Sequence, residues 1–225
     1  MQSSPPKHLR KVFRRTHDPI WQLQGGVIAI IVLQYFTNSS FLPYDKSVII
    51  LFEAIVLFAL AIVTSDGYHR VSQARRTLAM TLIILVAAIN IFSLIFLVEA
   101  LLFGDTRNVN GHDLLFNGMT IYITNIFMFA LLYWEMDGGG PDHRVVSERK
   151  RDFLFPQLIH KAIAAPHWLP GFMDYLYLST TNVTNFASAD TIPISHRAKL
   201  LMMIQALVSV IAVVLVAART IGVLQ

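Results

Sequence analysis

The 225-residue chain contains no cysteine. Disulfide bridges, thiol nucleophiles, cysteine-ligated zinc and iron–sulfur clusters are therefore excluded. Charge is scarce too. Asp, Glu, Lys and Arg make up 14% of the residues, against roughly 25% in a soluble globular domain. Apolar residues reach 55%, which excludes a disordered chain. The motifs of common chemistries are missing as well. There is no His-Glu-x-x-His, no Gly-x-Ser-x-Gly and no dinucleotide-binding glycine pattern. The eight His show no metal-ligand spacing on a helix. The triplet Gly138-Gly139-Gly140 is followed by Pro141 rather than Lys-Ser/Thr, so it is no phosphate loop. It reads as a helix stop, with Trp134 at the headgroup level. The sequence names no catalytic residue, metal ligand, cofactor or nucleic-acid partner, and the expectation is that the chain is not an enzyme.

What is present is charge-free length. Ile20–Tyr44, Leu114–Trp134 and Leu200–Ala218 carry no charged residue. Ser47–Ser65 carries only Glu53, and Thr77–Gly104 only Glu99. A helix crossing the hydrocarbon layer needs roughly 20 apolar residues, and five stretches meet or nearly meet that length. The expected fold is an all-α integral membrane protein with about five transmembrane helices. The first stretch lacks a small-residue cleavage site, so it is read as an uncleaved helix rather than a signal peptide.

Basic residues alternate along the connections. Residues 1–19 hold Lys7, Arg10, Lys11, Arg14 and Arg15; the next connection holds only Lys46. Then come Arg70, Arg75 and Arg76, then Arg107 alone, then Arg144, Arg149, Arg151, Lys150 and Lys161. Positive charge stays inside, so the N-terminus, the 66–76 loop and the 135–170 loop are expected to be cytoplasmic. Four segments follow: a basic tail 1–19, a four-helix membrane bundle 20–136, a basic loop 137–169, and a final unit 170–225. Within the loop, residues 153–165 are apolar but interrupted by Pro156, and suit an interfacial piece or a packed loop.

Residues 170–195 fit neither a span nor a free loop. Pro170 and Gly171 open a short aromatic helix; a run of hydroxyls and amides follows; Pro193 and Ser195 prepare the last helix, with Ser195 as its N-cap. Irregular backbone at membrane depth survives only where protein buries it or water bathes it. A re-entrant hairpin is one reading and an interfacial hairpin capping the bundle is the other.

The run Asp190-Thr-Ile-Pro193-Ile-Ser195-His-Arg-Ala198-Lys199, preceded by Thr180-Thr181, resembles the segment around and after the selectivity filter of potassium channels. The resemblance covers roughly residues 175–218, and the block is also similar to the C-terminal block of uncharacterised bacterial multi-pass membrane proteins. It implies a pore-loop channel in the bacterial plasma membrane: a homo-oligomer, tetrameric if of the pore-loop type, passing cations. In that reading Tyr175–Thr181 is the pore helix. Thr180, Thr181, Asn182, Thr184 and Asn185 form the constriction, and Asp190, Pro193 and Ser195 the hairpin's return. Gln205 and Ser209, four apart on the last helix, line the pore. The potassium filter's glycines are missing from residues 182–189. Potassium selectivity is therefore not implied, because those glycines allow the turns that aim filter carbonyls.

Other readings stay beside this one. The protein is otherwise a non-conducting membrane protein that binds a partner or lipid. Glu53 and Glu99 are either intramembrane acids on a cation or proton path, or interfacial acids reaching headgroup water. Gln34, Asn90, Thr124, Asn125 and Gln205 have a default role as hydrogen bonds between helices.

Overall fold

The structure is a computed structural model that describes residues 21–36, 47, 50–55, 57–58, 73–103, 111–141, 144, 151–160, 162, 164–165, 168–185, 187 and 190–223. The tail 1–19 lies outside the described residues. So do Lys46, Arg70, Arg107, Arg149, Lys150 and Lys161 of the charge alternation.

The described residues are mostly helical. In chain order the elements are α1 (Trp21–Phe36), α2 (Gln73–Phe103), α3 (Gly111–Met136), β1 (Phe153–Leu154), α4 (Pro156–Ile159), α5 (Phe172–Thr184), β2 (Ile192–Pro193) and α6 (His196–Val223). Residues 50–55 are helical as well. Among the described residues, three stretches are long and apolar enough to cross a membrane: Arg76–Glu99, Leu115–Gly139 and His196–Leu215. Gln24–Tyr35 is a shorter apolar helix.

Side-chain periodicity explains the packing. On α6, Ala198, Met202, Gln205, Ser209 and Ala212 are buried, a spacing of four, three, four and three that marks one helix face. The opposite face bears exposed Leu200, Met203, Leu207, Val210 and Val214. From Leu200 on the described outer surface is apolar, which is what hydrocarbon solvates. On α2 the buried face is Ala79, Leu82, Val86, Asn90, Leu94 and Leu97. α3 is buried on nearly every side from Met128 to Met136. It is the central helix, in contact with α1, α2, α5 and α6.

α3 ends where the glycines begin. Asp137–Gly139 forms a 3-10 turn, and Gly138, Gly139 and Gly140 all have positive φ. At Gly140 the reason is close approach: with φ +97°, an added Cβ would sit 3.2 Å from Glu135 O. Gly140→Ala is expected to lower stability by about 1–3 kcal/mol, readable as a shifted midpoint in detergent unfolding.

The same end of α3 anchors the rest of the chain. β1 and β2 pair antiparallel, with Phe153 opposite Pro193 and Leu154 opposite Ile192. This small ribbon is absent from the sequence expectation of a helix-only fold. Two strand residues carry no strand-length pattern, so the pairing is tertiary in origin. Residues 153–159 pack rather than float: Phe153 and Phe155 are buried and stack edge-on against Tyr175 with ring centroids 6.3 and 5.2 Å away.

Candidate functional site

Two polar clusters stand out among the described residues. The first closes the end of α3. Asp137 is fully buried. Its Oδ1 accepts the backbone N–H of Asp152 at 2.6 Å and of Phe153 at 3.2 Å, and its Oδ2 accepts Tyr175 O–H at 2.6 Å. Arg144 sits beside it, 7% exposed. It donates to Trp134 O at 2.6 Å and Asp137 O at 3.2 Å. These carbonyls end a helix, where a cation is favoured by the unpaired C=O groups. The guanidinium also lies over the Tyr175 ring, 5.1 Å from its centroid.

Asp152 extends this cluster to α6. Its carboxylate receives two bonds from Arg197, from Nε and Nη2, each 2.6 Å. Its carbonyl accepts Ile194 N–H at 2.8 Å. The Asp152 side chain is 2% exposed and that of Arg197 58%, so water screens the pair from one side only. Arg197→Met is expected to cost about 1–2 kcal/mol, below the roughly 3–5 kcal/mol for breaking a fully buried ion pair. The same variant should loosen the β1–β2 ribbon, read as faster amide exchange at Ile194.

The second cluster lies deeper. Gln205 is its centre and is fully buried. Its Oε1 accepts Tyr133 O–H at 2.7 Å and Asn182 Nδ2–H at 2.9 Å. Its Nε2 donates to Ser179 Oγ at 2.6 Å and Ser179 O at 3.3 Å. Ser179 O–H donates onward to Ile126 O at 2.7 Å. Asn182 Nδ2 also reaches Met202 O at 3.0 Å. Asn125 Nδ2 donates to Ser209 Oγ at 2.7 Å and Gln205 O at 3.3 Å. These bonds join α3, α5 and α6.

α5 presents a different set outward. Its N-terminus is held by Gly171 N–H donating to Asp174 Oδ2 at 2.7 Å. Phe172, Tyr175, Leu178, Ser179, Asn182 and Val183 face in. Met173 and Tyr177 are exposed at 63% and 56%, Thr180 is half-buried and Thr184 exposed. The spacing 173, 177, 180, 184 is one helical stripe. Asn185, just past it, is exposed, as is Asp190 in the return.

The constriction residues therefore divide. Thr180, Thr181, Asn182 and Thr184 are helical rather than loop residues, because α5 continues to Thr184. The hydroxyls of Thr180, Thr181 and Thr184 donate to Leu176 O, Tyr177 O and Thr180 O. Thr181 and Asn182 are buried, whereas Thr184 and Asn185 are exposed. Gln205 and Ser209 both point into the protomer and bond α3 and α5. Their expected place on a pore-facing surface is not where the fold puts them, since both are fully buried and the exposed face of α6 from Leu200 on is apolar. Of the return residues, Pro193 lies in β2 and Ser195 Oγ accepts Ala198 N–H at 3.1 Å.

The two acids also part company. Glu99 is exposed near the end of α2. Glu53 is fully buried, and its Oε1 accepts Gln34 Nε2–H at 3.4 Å. No group of three His, Asp or Glu able to hold a metal occurs among the described residues.

No match to the chain was found among protein-family models, curated proteins or solved structures.

Sequence reading missed the Asp137–Arg144–Asp152–Arg197 cluster. In sequence Arg144 reads only as a loop charge, and Asp137 only as the first residue of the basic loop 137–169. One signal was available: an acid just before three glycines, where a helix ends and its carbonyls need a cation.

Proposed function

We propose that the protein is a multi-pass membrane protein of the pore-loop type that conducts cations as a homo-oligomer. It crosses the bacterial plasma membrane five times with its N-terminus in the cytoplasm, and residues 170–195 form a re-entrant hairpin. Supporting the hairpin, α5 starts beside the end of α3 through Tyr175–Asp137, reaches inward to Met202 through Asn182, and the chain then returns to pair β2 with β1. Charge alternation makes that end of α3 the cytoplasmic one, so the hairpin enters from the cytoplasm.

The observation that carries the reading is the outward stripe of α5. Thr180, Thr184 and Asn185 stand beside Tyr177 on a face that the protomer leaves uncovered. Polar side chains at membrane depth face protein or water, and an axis between copies supplies both. Thr184 and Asn185 then line the constriction, while Thr181, Asn182, Gln205 and Ser209 hold its frame.

Purified protein in liposomes tests this. Sodium and potassium flux above that of empty vesicles is expected, and Asn185→Ala with Thr184→Val should change its rate severalfold. Vesicles without flux, at an oligomer state verified by mass, would sink the reading. One observation favours a second reading: from Leu200 on, the exposed face of α6 is apolar, which suits lipid or a partner helix better than a hydrated pore. In that case the protein does not conduct, and the α5 stripe is a docking surface for a partner or lipid.

A further inference from the structure

Three buried oxygens where α2, α3 and α6 meet have no hydrogen-bond partner among the described residues: Asn90 Oδ1, Thr124 Oγ1 and Asn125 Oδ1. Their residues are 4%, 3% and 0% exposed. Buried polar atoms without a partner are rare, and each calls for a specific cause. One hydrogen bond and helix spacing place these three in one neighbourhood. Asn90 Nδ2 donates across from α2 to Ile121 O at 3.3 Å. On a helix surface the residues three and four beyond a given position are its neighbours, and beyond Ile121 those are Thr124 and Asn125. Asn125 turns its Nδ2 to Ser209 and Gln205 of α6, which leaves its oxygen as the remaining polar end. Thr124 differs from the threonines of α5. Those donate their hydroxyls to carbonyls of their own helix, the usual habit of a helical threonine. Thr124 does not, so its proton is uncommitted.

The chemistry of the three atoms selects the ligand. Two are amide oxygens that only accept, and the third is a hydroxyl that donates and accepts. A divalent cation is excluded because it takes carboxylates, and residues 77–98, 114–134 and 200–218 carry no charge. A bare monovalent cation would meet the cost of burial without a counter-charge in those stretches. A water molecule fits each group in turn. It donates one hydrogen to each amide oxygen and accepts the Thr124 proton, and three bonds are usual for a buried water.

We propose that Asn90, Thr124 and Asn125 form a binding site for one water molecule inside the helical bundle. The water ties α2 to the Gln205 network. A polar seam then runs within one protomer from α2 through α3 and α6 to α5, apart from the outward stripe of α5. The site does not depend on whether the protein conducts.

The test is a density map of the full chain in lipid nanodiscs, fine enough to show ordered water, recorded in choline chloride and again in thallium(I) acetate. The expected result is a peak within hydrogen-bond reach of Asn90 Oδ1, Thr124 Oγ1 and Asn125 Oδ1, of the same height in both. A peak that strengthens with thallium would overturn the water assignment in favour of a cation. No peak, with the three side chains bonded to one another or to carbonyls, would overturn the site itself. Thr124→Val gives a second reading: in the map of a variant with wild-type mass and helicity, the peak should weaken or vanish. An unchanged peak there would remove Thr124 from the site.

Discussion

Asp137→Ala is expected to lower the free energy of unfolding by about 3–5 kcal/mol, the range for breaking a buried charged network on one side. Its carboxylate accepts two backbone N–H groups and the Tyr175 hydroxyl. The alanine variant leaves all three donors buried and unsatisfied, each costing about 1–3 kcal/mol before relaxation. It also leaves Arg144 buried without its neighbouring charge. Unfolding by detergent titration, followed by tryptophan fluorescence, gives the number. Asp137→Asn separates charge from shape. The amide retains an acceptor for Tyr175 or the backbone, but not for both sides, so an intermediate loss is expected. A loss below about 1 kcal/mol for the alanine variant, within the range of a single ordinary hydrogen bond, would show that the cluster does not hold the end of α3.

Gln205→Leu should come second, at about 2–4 kcal/mol. Hydrogen bonds between helices in a membrane average about 0.6 kcal/mol each, and Gln205 makes bonds to Tyr133, Asn182 and Ser179. The sum of averages gives the lower figure. The upper one applies because the hydroxyl of Tyr133 and the amide of Asn182 lose an acceptor at full burial. Leucine fills nearly the same volume, so no large cavity adds to the cost. Ser209→Ala breaks only the Asn125 contact, and Asn125 keeps Gln205 O at 3.3 Å. Its effect should stay below about 1 kcal/mol. An equal loss for the two variants would mean that Gln205 is not the centre of the network.

Helix placement was legible because it depends on local content. A charge-free stretch of twenty apolar residues has few alternatives to a helix, and Leu114–Trp134 and Leu200–Ala218 both lie within long helices. The polar residues of 170–195 were visible as a set, but their sorting was not. Thr181 and Thr184 look alike in sequence, and only the docking of α5 on α3 turns one inward and the other out. The ribbon and the Asp152–Arg197 pair were invisible for a different reason. The ribbon's partners are 38 and 40 residues apart and those of the ion pair 45, and nothing local in either segment requires the other. Gln205 and Ser209 were recognised as one helix face. The neighbour of that face was not deducible, because small and polar residues suit a packed seam as well as a wet surface.

The central position of α3 bears on how the protein is made. Asn125, Tyr133 and Asp137 find their partners on segments that leave the ribosome later, in residues 152–209. In the proposed membrane-spanning arrangement α3 stands until then in the bilayer with Asn125 and Tyr133 turned to lipid, which disfavours them. A nascent chain halted at about residue 150 should therefore stay engaged with the insertion machinery, or be removed by membrane proteases. Release into lipid is expected only after α6 has emerged.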